Sequence, residues 1–470
     1  MSASPKKRTQ QATGARRGQA PVDFSPKEDR GHKPSAGGLK SILTKVIIIV
    51  VCLSFVLSMA FGVVMGGSWS NVLKQANASQ KATDMISGVP LDQYQPSQVA
   101  DSPNVNASAD LVATANGTVL FARDPDKQRS IASITKIMTA MISLESTPLD
   151  TEMKVTAGAA AQTDNYILKA GMTMTFGQLI QCMLIPSNNA AAVAIAENVS
   201  GSEQKFVDLM NAKARSLGMD STYYADASGL SPQDVSTCHD LYILERYAFK
   251  NSTFTSIVKP HTVKLKVGST TITLNSTDHL QQWLPQDTVL GMKTGTTLKA
   301  GCCFAGSAVR GGIQLFSVVL GGTYNDMRFS DTAAMMKWAW AHYRPIQLLN
   351  PTQQVANISC SAWIDQTVPA YSSGNVDVTL FDMAGDLTQQ LQVKNNGGSV
   401  ESGEVVGTMT WLQGGQVVAT CNLVAAKDVP GPNFIQGIGQ FFIKTVNIMF
   451  GGRGAAQTTC LLQHQVPVPS

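Results

Sequence analysis

The chain has 470 residues, 44% of them apolar, with a formal net charge of +4, which leaves room for two or three domains. The small net charge hides an asymmetry. The first 45 residues hold ten Lys/Arg against Asp23, Glu28 and Asp29, so the remainder is about −3. A basic Pro/Gly/Ser-rich stretch with few apolar residues cannot bury a core, and residues 1–45 are expected to form a disordered tail. Nucleic-acid binding is the usual alternative for such a tail; the segment that follows it argues against that reading.

From Val46 to Met65 runs "VIIIVVCLSFVLSMAFGVVM", twenty residues without a charge, long enough to cross a bilayer as a helix. Lys/Arg crowd its N-terminal side and are absent just beyond, which puts the tail in the cytoplasm and the bulk of the chain outside the cell membrane. Ser58-Met59-Ala60 resembles a signal-peptide cleavage site. The apolar run continues past it, however, and the preceding basic region is unusually long for a signal peptide. Residues 46–66 are therefore read as an uncleaved anchor, and 67–106, rich in Ser, Asn, Gln, Asp and Pro, as an extracytoplasmic spacer.

Ordered structure is expected over 107–346. It opens with two short apolar runs around Asn116-Gly117, a strong hairpin signal. Ile134, Ile137, Met138, Met141 and Ile142 then repeat at helical spacing. Thr175 and Gln178 form a capping box for a helix that Pro186 should stop. An Ala-rich buried helix and an amphipathic one ending at Gly218 follow. After about Val263 the period changes to strands, including "TVLGMKTGTT", "GCCFAGSAV" and "IQLFSVVLGG", with Arg310 to Gly312 as a turn, before a last helix near "DTAAMMKWAWAHY". Strand, helices, strands, helix is an α/β (α+β) layout with helices packed on an antiparallel sheet.

Residues 351–428 read as a small all-β domain of short alternating strands. In 432–451, Gln436, Gln440, Lys444 and Asn447 make one narrow polar stripe on an otherwise apolar helix. That helix should either pack on the β-domain or lie in a membrane interface, the latter being the preferred reading. Residues 452–470 are expected to be a disordered tail. Seven of the eight cysteines follow the anchor without a C-x-x-C pair, which argues against a structural zinc site. If any disulfide forms, Cys360 with Cys421 is the first choice.

Ser133 and Lys136 stand three residues apart in "SIASITKIMTA", but S-x-x-K also occurs at Ser4/Lys7, Ser202/Lys205 and Ser256/Lys259. Two later motifs single out Ser133. Ser187-Asn188-Asn189 follows a Pro-terminated helix, and Lys293-Thr294-Gly295 sits in a strand pattern and is the chain's one K-T-G. A serine hydroxyl needs a base, and a lysine one helical turn away can reach it. Burial and a nearby second cation, Lys293, should keep Lys136 uncharged enough to serve. Ser187 and Asn189 would relay the proton and hold a substrate amide, while Lys293 and Thr294 grip a carboxylate. Backbone N–H groups of Ser133 and Thr296 would face a developing oxyanion. His239 and Asp240 read as a helix start, and Cys302 and Cys303 as structural.

The ordered set S-x-x-K, S-x-N, K-T-G, with "DASGLS", "STCHDL", "GMKTGTTLKAG" and "VVLGGTYNDMRF" around it, resembles the penicillin-binding serine D-alanyl-D-alanine carboxypeptidases, within the wider active-site-serine acyl transferases. The resemblance covers roughly Ala109 to Tyr343. It implies a β-lactamase/transpeptidase-like fold and hydrolysis of a peptidoglycan stem peptide ending in D-Ala-D-Ala, with β-lactams as inhibitors and no metal or cofactor. It adds Arg328 as a second candidate for the carboxylate, in a substrate-binding set with Lys293, Thr294, Gly295 and Thr296. Ala190 stands where the family usually has an aspartate, and Ile131 where it has a proline. A class A-like β-lactamase is the nearest rival, although no Glu-x-x-x-Asn element lies between Ser187 and Lys293. A catalytically silent cell-wall-binding scaffold is the rival from another class.

Overall fold

The computed structural model describes residues 85–86, 89–90, 102–285, 288–394, 398–463, 465–466 and 468. The basic tail, the apolar run at 46–65 and most of the expected spacer lie outside the described residues. Among the described residues no helix is long and apolar enough to cross a membrane.

Strands β1 (Ala109–Thr114) and β2 (Val119–Arg123) form the expected hairpin, with Gly117 supplying the positive φ of 110° that the turn needs. Seven helices follow: α1 (Lys136–Ser146), α2 (Ala157–Ala160), α3 (Phe176–Leu184), α4 (Asn189–Ser200), α5 (Glu203–Ser216), α6 (Cys238–Ala248) and α7 (Ser252–Val258). Thr175 and Gln178 make the capping box of α3, which ends at Leu184, directly before Ile185-Pro186. A small hairpin, β3 (Thr262–Val267) and β4 (Thr270–Asn275), leads to β5 (Val289–Thr297), β6 (Gly301–Arg310), β7 (Ile313–Gly322) and α8 (Met327–Ala341).

The main sheet runs β5-β6-β7-β1-β2, each pair antiparallel. Beyond β2, Ile86 adds a parallel bridge to Val119, so a piece of chain expected to be spacer belongs to this sheet. Because side chains alternate across a strand, β6 sends Cys303 and Ala305 into a core shared with α1 and α3 to α6. It sends Phe304 and Ala308 into a second core built with α8. The sheet is thus buried on both faces. Strand β5 is its outer strand on the side that carries K-T-G.

The second domain holds β8 (Tyr343–Leu349), β9 (Gln354–Ser359), β10 (Thr367–Ser372), β11 (Val376–Phe381), β12 (Leu387–Val393), β13 (Val405–Gln413) and β14 (Gln416–Ala425) around Trp411, Ile358 and Met409. It begins earlier than the expected residue 351, since Tyr343 already pairs with Phe381. Two further expectations are corrected. Residues 452–470 are not a wholly disordered tail: Thr459–Cys460 pairs with β9 and Gln465–Val466 with β12, the two edges of the sheet β9-β10-β14-β13-β12. Cys360 and Cys421 are both free. Cys360 follows β9 and Cys421 lies on β14, with β10 between them. Two inter-strand spacings are roughly 9–10 Å, beyond disulfide reach.

Helix α9 (Phe434–Met449) buries none of its residues. Its polar stripe faces the β-domain: the Lys444 ammonium donates to Ser361 O at 2.5 Å, and Gln440 Oε1 accepts from Ile364 N–H at 3.1 Å. Phe434, Phe441, Phe442, Ile443 and Phe450 are left exposed.

Candidate active site

Four chain segments meet at Ser133. The first is the turn Ala132–Thr135, a single 3-10 turn that runs directly into α1. Ser133 therefore lies just before α1, not within it, and Lys136 is the first residue of the α-helix proper. The geometry still places Lys136 Nζ 2.8 Å from Ser133 Oγ. This turn has no side-chain cap; Thr135 Oγ1 donates to Asp234 Oδ2 at 3.0 Å instead. Ala132 takes φ 48°, a conformation that costs a non-glycine residue about 1–2 kcal/mol.

Two glycines wedge this strained turn in place. A Cβ on Gly229 would lie 2.0 Å from Ala132 O, and one on Gly295 would lie 2.6 Å from Ile131 O and 3.0 Å from Ser133 N. Strand β5 and the 225–234 loop thus pack backbone to backbone against the nucleophile turn, which only residues without a Cβ permit.

The second segment is the Ser187-Asn188-Asn189 turn between α3 and α4. Ser187 has φ 63°, and Asn188 caps α4 by accepting from Ala191 N–H. Asn189 Oδ1 accepts from Lys136 Nζ at 2.7 Å, and its amide donates to Thr163 O at 3.1 Å. The third segment is β5. Lys293 and Thr294 are buried there, Lys293 donating to Thr294 O and Thr294 Oγ1 lying 2.6 Å from Thr277 Oγ1. Arg328, on α8, reaches back to β5 and donates to Gly295 O at 3.1 Å and Thr296 Oγ1 at 2.8 Å. The sequence-derived residues Ser133, Lys136 and Asn189 are thus in direct contact, and Arg328 joins Gly295 and Thr296.

The fourth segment carries a contact that the sequence reasoning missed. Ser228 O accepts from Lys136 Nζ at 2.5 Å. In the sequence "DASGLS" carries only a resemblance, because a backbone carbonyl leaves no side-chain signature. Lys136 is fully buried and its three short hydrogen bonds all go to neutral groups.

Burial pushes the Lys136 ammonium down to about 7, against the opposing pull of Asp226, Asp234 and Asp164. Burial leads that depression. Lys293 is itself held well below the usual lysine range, first by burial and then by the charges of Lys136 and Arg328. The remaining S-x-x-K matches within the described residues have ordinary local roles. Ser202 caps α5 by accepting from Lys205 N–H, and Ser256 bonds Thr253 O within α7. His239 and Asp240 open α6, where Asp240 N–H bonds the capping Thr237.

A serine, a buried lysine and a polar clamp on an outer strand can carry acyl transfer. Residues 96–323 match the model of the Peptidase S11 family, D-alanyl-D-alanine carboxypeptidase. The D-alanyl-D-alanine endopeptidase of Pseudomonas aeruginosa is 33% identical over 232 residues, which is 47% of this chain and 73% of that relative. The chain belongs to the Peptidase S11 family. Its member DacF of Bacillus subtilis, a D-alanyl-D-alanine carboxypeptidase, is 27% identical over 340 residues, covering 70% of this chain and 87% of DacF. The crystal structure of a D-alanyl-D-alanine carboxypeptidase from Mycobacterium tuberculosis H37Rv is 29% identical, with a TM-score of 0.50, covering 53% of this chain and 96% of that one. DacD from Francisella tularensis, at 23% identity and TM-score 0.51, shares the fold over 72% of this chain and 96% of its own.

Proposed function

We propose that this protein is a serine D-alanyl-D-alanine carboxypeptidase of peptidoglycan whose acyl-enzyme forms on Ser133. The observation that carries the assignment is the contact of a buried, charge-depressed Lys136 with Ser133 Oγ at 2.8 Å. Neutral Lys136 takes the Ser133 proton as Oγ attacks the carbonyl between the two terminal D-alanines. Ser187 passes a proton to the departing D-alanine amine, and Asn189 holds both Lys136 and the substrate amide. The N–H groups of Ser133 and Thr296 stabilise the oxyanion. Lys293, Thr294 and Arg328 meet the terminal carboxylate, and water then releases the shortened peptide. Relatives matched over most of the chain support carboxypeptidase over endopeptidase action. DacF and Escherichia coli DacC, aligned over 340 and 392 residues, are both named carboxypeptidases.

The test is intact-mass measurement after penicillin treatment, with peptide mapping, alongside D-alanine release from a pentapeptide. One lasting adduct on Ser133, lost in Ser133→Ala, together with D-alanine release, supports the assignment. Rapid turnover of penicillin would make it a β-lactamase. No adduct and no D-alanine release would leave the cell-wall scaffold.

For location, the uncharged run 46–65 with its basic flank supports a single span, cytoplasmic at the N-terminus and catalytic outside. Helix α9 then rests in the outer interface, because its polar stripe is bonded to the β-domain and its phenylalanines are exposed. Each buried Phe or Ile contributes about 1.5–3 kcal/mol to such docking. With the 46–65 run removed, Phe441→Ser/Phe442→Ser protein should sediment with lipid vesicles less than its parent; equal sedimentation would refute the α9 contact.

A further inference from the structure

Asp226 has no role in the scheme above, yet it organises the loop that touches the acylation base. Its Oδ1 accepts from Ser228 N–H at 2.6 Å, Gly229 N–H at 2.5 Å and Ser228 Oγ at 3.1 Å, and its Oδ2 accepts from Ser231 N–H at 2.5 Å. Four donors on one carboxylate fix a tight Asx-type turn. That turn presents two things to the nucleophile segment. Ser228 O meets Lys136 Nζ at 2.5 Å, and Gly229 packs against Ala132 and Ser133.

We infer that Asp226 is a positioning residue of the acylation step, fixing the Ser228 carbonyl on Lys136 and supplying the negative field in which Lys136 exchanges its proton. The inference rests on the Ser133/Lys136 reading above. Three neighbouring carboxylates share the field but sit differently. Glu203, the first residue of α5, accepts from Ala227 N–H at 3.1 Å and is raised above its usual range, first by burial and then by Asp226. Asp234 accepts from Thr135 Oγ1, Ala225 N–H and Asp226 N–H, and burial pushes it up to about 7, so its charge is reduced at neutral pH. Asp164 lies in the strained segment before α3, with φ 60°. The cation on the other side is Lys293, coupled to Lys136 from β5. Among the acids acting on Lys136, Asp226 comes first, and it is also tied by hydrogen bonds to one of the lysine's own ligands.

The sign follows directly. A carboxylate near an ammonium favours the charged form. Removing that charge lowers the lysine's pKa, so the neutral base persists to lower pH. Asp226→Asn should move the acid limb of β-lactam acylation of Ser133 down by about one pH unit, the lower end of a close charge's effect. Its plateau rate should fall about tenfold or more as the Ser228 carbonyl loosens. Asp226→Glu keeps the charge but displaces it, so its plateau should drop while the limb stays near wild type.

The experiment is acylation rate against pH by stopped mass spectrometry for wild type, D226N and D226E, with thermal unfolding of each. Should D226N fail to fold, Asp226→Ser retains a short acceptor for the turn without the charge and must show the same limb shift. A folded D226N or D226S whose limb stays within about 0.2 pH units of wild type overturns the inference. Failure of the underlying reading would look different: wild type itself would then acquire no adduct on Ser133.

Discussion

Gly229→Ala isolates the backbone contact that seats the nucleophile. Its φ is +83°, and a Cβ there would stand 2.0 Å from Ala132 O, 2.3 Å from Ala132 C and 2.8 Å from Ser133 N. Gly201 provides the matched control, with φ +81° and nothing within 4 Å of its Cβ position. Both substitutions incur the left-handed backbone cost of about 1–2 kcal/mol. Only Gly229→Ala must in addition move backbone by about 1 Å, since a Cβ contact below about 3 Å is not tolerated. The atoms displaced carry Ser133, and a misplacement of that size costs about a hundredfold in rate. Penicillin acylation rates measured by intact mass should therefore fall about a hundredfold for Gly229→Ala and less than about threefold for Gly201→Ala, with the larger loss of thermal stability in Gly229→Ala. A folded Gly229→Ala that acylates within about threefold of wild type would refute the idea that this contact sets the nucleophile's place.

Glu245 is fully buried on α6, and burial holds its carboxyl well above the usual range, so it folds as the neutral acid. Its contribution to stability is present below the unfolded glutamate pKa and is lost as pH rises toward the folded one. Glu245→Gln should accordingly gain melting temperature relative to wild type as pH rises from 4.5 to 8, and a pH-independent difference would refute this. Acylation of the wild type should rise with pH through about 7 as Lys136 loses its proton; a flat profile from pH 5 to 9 would exclude Lys136 as the base. Arg328→Lys should weaken acylation as well as carboxylate recognition, because the guanidinium holds Gly295 O and Thr296 Oγ1 together. Unchanged acylation with raised KM would confine Arg328 to the substrate carboxylate. Alkylation of the unfolded, unreduced protein should label Cys360 and Cys421 as free thiols, and a linked peptide pair would contradict the strand order.

Much of the catalytic domain was legible because its signals are local. Thr175 and Gln178 cap α3, Pro186 ends it, and Asn116-Gly117 turns the first hairpin, all through interactions within a few residues. The three motifs were legible because the chemistry fixes side-chain types. Long-range backbone contacts were not. Nothing in "DASGLS" announces that Ser228 lends a carbonyl to a lysine 92 residues away. The C-terminal segment failed for a related reason: Thr459–Cys460 and Gln465–Val466 are too short for a strand pattern, and they exist because β9 and β12 offer edges to pair. A shared domain suggests the pairing of Cys360 with Cys421, whereas strand order decides such distances.

The lysine shows why fold and chemistry cannot be separated here. Lys136 opens α1, where Ile137, Met138, Ala140 and Met141 pack into the core behind it. That packing removes water from the amine, and a lysine so buried gives up its proton near neutrality. The cost of burying a polar amine is offset by hydrogen bonds to Ser133, Asn189 and Ser228. Those same three bonds aim it at the nucleophile. Lys293 sits on β5, held below its own normal range by burial and by the charges of Lys136 and Arg328, and an arriving substrate carboxylate would favour its charged form. The apolar face of α1 is therefore as much a part of the mechanism as the serine.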